Sequence, residues 1–430
     1  MMARGYLHKA VSGIAIVAVM IAVAAAADLG HPQTGQFTPE DFTAPKNCGM
    51  CHPTQYGQWQ GTLHNRSTDD PFYLRVLRIA EADLPGIGDF CSACHSPIAV
   101  MTGEDPLAPE SLTGAAPEGL SCDFCHTVSG YHHLGNAGFV SDPGELKRGP
   151  FGAQPPIYHT VEQSPLHDSA EFCGICHDVT HPVNGLLLEG TYSEYLDGPY
   201  PAEGYKCQTC HMTPGLTQFE AFPGSSANGA PEREHIWTHW FVGANVFISE
   251  MLGEEDAAAL ARARLKRAAA IEIGRMDAGA GQRYFEVVVT NSGAGHMLPT
   301  GVTEERQIWL EVEVFDEQDN VIAHFGRLDE HGVIAGDTMI LGTVFGDADG
   351  QPTHKIWRAE SVLTDRRIPP RASDSQAYHV SVGDGPEPAR IHARLWYRSS
   401  HQDFIDQVFA DAAERVLVPQ ILMAEAESVL

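Results

Sequence analysis

Alternating apolar and polar positions characterise the chain beyond Trp240. Five runs alternate with a period of two and are bounded by Gly, Asp or Pro: residues 283–291, 307–316, 320–326, 376–382 and 390–398. This period is typical of strands with one buried face. It predicts an antiparallel β-sandwich-like domain over residues 271–400.

Two helical patterns flank these runs. Residues 253–268, "GEEDAAALARARLKRA", are rich in alanine and carry their charges on one side, which predicts a linker helix within residues 251–270. Phe404, Ile405, Val408 and Phe409 fall on one helical face. We therefore expect a C-terminal helix over much of residues 402–427, in a final segment of residues 401–430.

Residues 28–250 show few long stretches with a helical period and are rich in Gly, Pro, His and aromatic residues. This composition predicts short helices joined by irregular loops. The expected fold class is therefore multidomain, with a short-helix and irregular domain followed by the β-sandwich-like domain and the terminal helix.

The N-terminus has the pattern of an export signal. Arg4 and Lys9 precede an apolar run over residues 11–27 that ends in small residues. We expect a signal peptide at residues 1–27, cleaved among residues 25–27, and a periplasmic or otherwise exported protein. The alternative is a retained membrane anchor, for which the run is short and rich in alanine.

The charge limits the partners. The formal net charge is −29 at pH 7, with 27 Lys and Arg against 56 Asp and Glu. A nucleic-acid partner is not expected, because contacts to phosphates need clustered Lys and Arg. Protein partners should instead present basic faces, since long-range fields steer encounter.

All ten cysteines lie in five copies of one motif, C-x-x-C-H. The cysteines are Cys48, Cys51, Cys91, Cys94, Cys122, Cys125, Cys173, Cys176, Cys207 and Cys210, and the histidines that follow them are His52, His95, His126, His177 and His211. A disulfide framework or zinc knuckles would not place a histidine after every second cysteine. C-x-x-C-H is the attachment motif of c-type haem, in which two thiols one helical turn apart bind the vinyl groups and the histidine binds the iron.

The sequence therefore predicts five covalently attached haem c groups. All five motifs lie within residues 48–211, and so little chain cannot wrap five macrocycles separately. The haems should pack against one another and form much of the core of a pentahaem domain over residues 28–250.

Each iron takes a second axial ligand, and histidine is its main candidate because few methionines in this region are free. The histidines between the first motif and the linker helix, outside the motifs, are His64, His132, His133, His159, His167, His181, His235 and His239. If residues 167–173 continue a helix they advance only about 9 Å, so we expect His167 to ligate a neighbouring haem. The same reasoning applies to His64. One of His132 and His133 is a further candidate. The sequence does not decide between them, and we keep His133 as the candidate.

His296 lies far from any motif, in the loop "NSGAGHMLPTG". Gly293, Gly295 and Gly301 permit close backbone approach there, and Pro299 restricts the exit. A plain turn with a solvated histidine is the simpler interpretation. The sharper one is that the loop reaches back from the β-domain and places His296 on an iron.

Several segments resemble a known family: "CGMCHPTQYGQWQGTLH", "LSCDFCHTVSG", "SPLHDSAEFCGICHD", "TYSEYLDGPYPAEGYKCQTCHM", "HWFVGAN" and "TNSGAGHMLPTG". They are similar to multihaem c-type cytochromes related to the tetrahaem electron acceptor of hydroxylamine oxidoreductase, from about residue 45 to 301. The resemblance implies stacked haems with mostly two histidine ligands, acting in periplasmic electron transfer, and it implies His64, His167 and His239 as distal ligands. Five motifs and an added β-domain depart from that pattern.

The leading functional hypothesis is an exported pentahaem cytochrome that relays electrons between redox partner proteins. An enzyme acting on a small nitrogen or sulfur compound at one five-coordinate haem is the alternative. The second motif is then its candidate, because no histidine lies between His95 and His126. A third possibility is a self-associating subunit of a haem filament or conduit.

Overall fold

The structure is a computed structural model that describes residues 29–152, 158–279 and 281–430. The predicted signal peptide, residues 1–27, lies outside the described residues. The α-helices of the described residues are α1 (Pro45–Gly49), α2 (Pro53–Gln60), α3 (Pro71–Asp83), α4 (Ile87–His95), α5 (Pro97–Thr102), α6 (Cys122–Thr127), α7 (Ala170–Gly174), α8 (Thr191–Leu196), α9 (Cys207–His211), α10 (Val246–Met251), α11 (Glu255–Ala268) and α12 (Gln402–Val408).

Short strands accompany the helices up to residue 233, and longer ones follow α11. The strands are β1 (Val128–Tyr131), β2 (Phe139–Ser141), β3 (Leu146–Gly149), β4 (Thr160–Gln163), β5 (Val179–Thr180), β6 (Leu187–Glu189), β7 (Gly224–Ser225), β8 (Glu232–Arg233), β9 (Ala269–Ile273), β10 (Asp277–Gly279), β11 (Gln282–Asn291), β12 (Gln307–Phe315), β13 (Val321–Phe325), β14 (Ile340–Gly346), β15 (Pro352–Thr353), β16 (Ser361–Arg366), β17 (Ser373–Ser381), β18 (Arg390–Arg398) and β19 (Ile421–Val429).

The region before α11 consists of short helices and irregular loops, as its composition predicts. Proline begins several of these helices, including α1, α2, α3 and α5, because its fixed φ suits the first helical position. Asp70 caps α3 by accepting hydrogen bonds from the backbone N–H groups of Phe72 and Tyr73. The motif cysteines lie in or directly after short helices, so each pair of thiols is one turn apart.

The region after α11 contains two antiparallel sheets. One has the order β10-β11-β17, with β9 also paired to β11. The other has the order β15-β14-β12-β18-β19, with β13 paired to β12 and β16 to β14. Phe285, Val287 and Val289 of β11 are buried in alternation with more exposed neighbours. They join residues of β12, β14 and β18 in one apolar core, so the two sheets of this sheet-rich region share their buried side chains.

Helix α11 occupies the position expected for the linker helix. Glu255 and Asp256 lie in its first turn and Lys266 and Arg267 in its last, an arrangement that favours the helix dipole. Its apolar face packs into the core of the sheet-rich region through Ala261 and Leu265.

The predicted C-terminal helix is wrong beyond Val408. Helix α12 ends at that residue, and residues 421–429 form the edge strand β19, paired along its length with β18. Pro419 lies two residues before this strand and lacks the N–H that a helix would need. Ile421 and Met423 are buried in the core. A register shift follows at residues 422–424, after which Ala424 and Ala426 pack on the core and Glu425 and Glu427 are exposed, as expected for a strand with a bulge.

Polar contacts join the two regions. Asp83 at the end of α3 accepts hydrogen bonds from Lys355, Trp357 and Arg358. The hydrogen bonds from the charged groups of Arg358 and Lys355 hold the pKa of Asp83 well below its usual range. Glu194 in α8 forms an ion pair with Arg367.

Among the described residues, every helix is too short or too polar to cross a membrane.

Candidate haem sites

Four motif histidines each face a second histidine ring at nearly the same distance. Ring centroids are 6.3–6.4 Å apart in the pairs His52–His159, His64–His177, His126–His239 and His211–His296. A metal between the rings would bind one nitrogen of each at about 2.0–2.1 Å. These two bonds, together with the distance from each nitrogen to its ring centroid, add up to about the observed separation. The pairs therefore fit an iron atom with two axial imidazoles.

The outer ring nitrogens of these pairs are tied to the chain. His52 Nδ1 lies 2.7 Å from the Ser226 carbonyl oxygen and His211 Nδ1 lies 3.0 Å from that of Val242. His126, His159, His239 and His296 have the same type of contact, to the carbonyl groups of Arg148, Thr160, Trp237 and Met297. A proton on Nδ1 that is donated to a carbonyl group leaves the lone pair of Nε2 free for a metal.

The chain brings all four of these partners from far away in sequence. His64, which follows the first motif, faces His177 of the fourth, as the sequence predicts for a ligand of a neighbouring haem. His159 follows β3 and precedes β4, yet it faces His52 of the first motif. His239 comes after the last motif and faces His126 of the third. His296 belongs to the loop after β11 and faces His211 of the fifth motif, so the sheet-rich region contributes a side chain to this site.

Two of the expected distal ligands are placed differently. His167 has both nitrogens engaged, Nδ1 with Ser164 Oγ and Nε2 with the Cys125 carbonyl oxygen, each at 2.9 Å. Its ring stacks beside His126, whose facing partner is His239. His133 is exposed, with Nδ1 3.1 Å from the carbonyl oxygen of Gly135. The geometry does not support either as an axial ligand, because neither presents a free nitrogen opposite a motif histidine.

Sequence reasoning did not select His159 from the eight candidate histidines. It is separated from its partner His52 by the whole of motifs two and three. The only local signal is its position directly before a strand, where its Nδ1 can meet the next carbonyl group.

His95, the histidine of the second motif, has different surroundings. The Tyr73 ring stacks on it with centroids 4.0 Å apart and planes 7° apart. Within the described residues, none of the paired ring contacts joins His95 to another histidine. Tyr73 lies alongside the imidazole and not across an iron from it, so the second site lacks the facing pair of the other four.

Thiols of different motifs lie near one another. Cys48 neighbours Cys122, Cys94 neighbours Cys176, and Cys173 neighbours Cys207, closely enough for each pair to influence the pKa of its thiols. These contacts join the first motif to the third, the second to the fourth, and the fourth to the fifth. Cys125 of the third motif also lies near enough to Cys173 and Cys176 of the fourth to perturb them electrostatically. The five motifs therefore form one connected series.

A family model for cytochrome c554 and c-prime matches residues 47–127, which contain the first three motifs. A solved structure of a penta-heme cytochrome c552 from Thermochromatium tepidum shares the fold, with a TM-score of 0.67 and 19% sequence identity, covering 91% of this chain and 99% of that one. Together with the five motifs, these matches support a multihaem c-type cytochrome. The resemblance inferred from the motifs is thus confirmed.

Other comparisons add nothing to this identification. A β-glucosidase from Kluyveromyces marxianus matches with a TM-score of 0.16 and 6% identity, over 38% of this chain and 14% of that one. A structural genomics target, SoR45, matches with a TM-score of 0.18 and 9% identity, over 39% and 89%. Scores this low carry no argument. No curated protein sequence matches the cytochrome.

Burial keeps most facing imidazoles of the cytochrome neutral. It lowers the pKa of both His64 and His239 to about 3. His177 is the exception: burial lowers its pKa, but the hydrogen bond and charge of Glu189, 3.0 Å from Nδ1, raise it to about 9. A carboxylate behind an imidazole makes it a more basic ligand, which favours the oxidised state of an attached iron.

Arg264 would hold a carboxylate group of a haem at the fifth motif. It lies in α11, is 9% exposed, and donates from Nη2 to the Cys210 carbonyl oxygen at 2.9 Å. Its Nε is buried without a partner, and none of the ion pairs found among the described residues includes it. Burial lowers its pKa to about 10, so the group remains charged at neutral pH. A buried cation needs an anion beside it.

Proposed function

We propose that this cytochrome carries five covalent haems and relays electrons through them between redox partner proteins outside the cytoplasm. The observation that carries the proposal is the set of four facing imidazole pairs within one connected series of motifs. When bound, the haems supply the redox chemistry, and the chain supplies ligands, spacing and charge.

The residues of the chain support transfer better than bond-making. Facing imidazoles would hold the iron from both sides at four sites and so leave no position there for a substrate. Buried, neutral histidines and the carbonyl groups on their Nδ1 atoms keep the ligand geometry fixed when the charge of the site changes. The acidic chain would meet a partner that presents a basic face. The name of the similar protein from Thermochromatium tepidum also states a penta-heme cytochrome.

A second function is favoured by the surroundings of His95. A site with one histidine and no facing partner leaves an axial position open, which a small nitrogen or sulfur compound could occupy. The cytochrome would then reduce that compound at the second motif with electrons delivered by the other four sites, or oxidise it and pass the electrons to them.

One set of measurements separates these functions. Mass spectrometry of the exported protein should give five haems and no thiol that can be alkylated. EPR spectroscopy of the oxidised protein, combined with a redox titration, should show four low-spin haems and one high-spin haem. Fewer than five haems with free thiols would refute the proposal.

Cyanide binding tests the second function directly. Only an open iron should bind cyanide, so we expect one site per protein in the wild type. A His64→Ala variant is a matched control, because it should add a second open site. Five low-spin haems and no cyanide binding in the wild type would leave electron transfer as the only function.

A further inference from the structure

A cluster of metal-binding side chains lies outside the haem sites, within the sheet-rich region. It consists of His354, in the loop after β15, and His401 and Asp403, at the start of α12. One ligand atom from each lies within 4.8 Å of the others. His354 Nε2 is 3.9 Å from Asp403 Oδ2, and the two imidazole centroids are 4.4 Å apart.

A buried carboxylate stands behind this cluster. The side chain of Glu304 is 2% exposed, and its Oε1 lies 3.3 Å from Nδ1 of His354. Within the described part of the chain, both oxygens of Glu304 and Nδ1 of His354 lack a hydrogen bond. Burying a carboxylate in this way is costly unless a positive group compensates it. A carboxylate on the outer nitrogen is also the usual support of a metal-bound histidine.

Several of the unpartnered buried polar atoms of the described residues belong to this cluster and to the residues that precede His401. Besides those of Glu304 and His354, they include Nε of Arg398 and the hydroxyl groups of Ser399 and Ser400, which directly precede His401. So many unmet polar atoms in one place indicate a polar occupant, which is either an ion with its water ligands or water alone.

The charges in the cluster favour a cation. Asp403 and Glu304 are the carboxylates beside the two imidazoles. Arg398 opposes a cation, but its guanidinium already donates to Gly332 and to the side-chain oxygen of Gln307. The amide nitrogen of Gln307 lies 3.0 Å from Nδ1 of His401, so a metal bound through that atom would displace one hydrogen bond.

We propose that His354, His401 and Asp403 bind a divalent transition-metal ion, with Glu304 orienting His354 through Nδ1. Two imidazoles and one carboxylate are a ligand set of zinc and its neighbours, and they leave a position for water. The residue types also argue against Mg²⁺ and Ca²⁺, which prefer oxygen ligands throughout.

The position of the site indicates that a bound ion would stabilise the contacts between the sheet-rich region and α3. Phe404, next to Asp403, packs on both His354 and Phe72 of α3. Lys355, which follows His354, reaches Asp83 at the other end of α3. An ion would therefore fix two contacts on the helix whose Tyr73 stacks on His95.

Zinc is the probe for the test. The complete haem-loaded protein is incubated with Zn²⁺, passed through a desalting column, and its Zn and Fe contents are measured by elemental mass spectrometry. We expect one zinc per chain in the wild type. Asp403→Asn and His354→Ala should lose it, and Glu304→Gln should bind zinc 10–100-fold more weakly.

His392→Ala is the matched control, since His392 belongs to an exposed pair with Glu425 in the same region and should leave zinc binding unchanged. Asp403 is 58% exposed, so Asp403→Asn tests the site even if His354→Ala folds poorly. The proposal is overturned if the wild type retains no zinc, or if Asp403→Asn and His354→Ala retain as much as wild type. Water would then fill the cluster. The iron content reports the haems separately, so failure here does not bear on electron transfer.

Discussion

The two regions of the cytochrome are held together by different means. In the sheet-rich region, Ile308, Leu310, Val312 and Val314 of one strand are fully buried against the opposite sheet. The region of the five motifs has smaller apolar clusters, and its central side chains are imidazoles that face one another. The comparison teaches that the core of a region can consist of the chain's own apolar side chains, or of a bound group that the side chains surround.

The largest effect should follow from producing the chain without haem attachment. Residues 29–250 should then be digested quickly, because α1 to α10 contain only 5–13 residues each and helices this short are marginal alone. Residues 269–429 should resist the protease, as their strands carry their own core. Limited proteolysis with mass spectrometry measures both. If both regions resist the protease equally without haem, the motif region does not depend on haem for its core.

A core substitution should act on the sheet-rich region alone. Leu310→Ala removes a fully buried side chain and should lower the free energy of unfolding of this region by about 2–5 kcal/mol. Denaturant titration followed by circular dichroism measures the loss, and the haem absorption of the native protein should not change. Val321→Ala is the control, because Val321 is 49% exposed and should cost no more than about 0.5 kcal/mol.

Removing His296, which belongs to the sheet-rich region but faces a motif histidine, should affect one haem and also weaken the contact between the two regions. His296→Ala should convert one low-spin haem to high spin, seen by EPR, and should speed proteolysis near α11. His159→Ala is matched to it, since His159 also faces a motif histidine but comes from the motif region. It should change the spin state without changing the proteolysis. If the two variants behave alike, His296 does not join the regions.

The smallest effect is expected at His167. His167→Ala should leave the number of high-spin haems unchanged, because both of its nitrogens are engaged by Ser164 and Cys125. His239→Ala should add one high-spin haem under the same conditions. A new high-spin signal in His167→Ala would restore His167 as an axial ligand and contradict the pairing described here.

The sequence predicts what depends on local spacing. C-x-x-C-H requires only neighbouring residues, and the alternation in β11 or β12 shows on its own which face is buried. The facing histidines depend instead on the tertiary fold, so spacing along the chain favours His167 and gives no reason to choose His159. The sequence of β19 predicts a helix because Ala and Glu favour helices, whereas pairing with β18 decides its conformation.

The proximity of thiols from different motifs has a consequence for the order of haem attachment and folding. Cys48 and Cys122, Cys94 and Cys176, and Cys173 and Cys207 are neighbours in the fold but belong to different attachment motifs. In an oxidising compartment, a chain that folds this way with free thiols would cross-link between motifs. Each such bridge would consume one thiol from each of two motifs and block both. We therefore expect the haems to be joined to the chain before these cysteines meet.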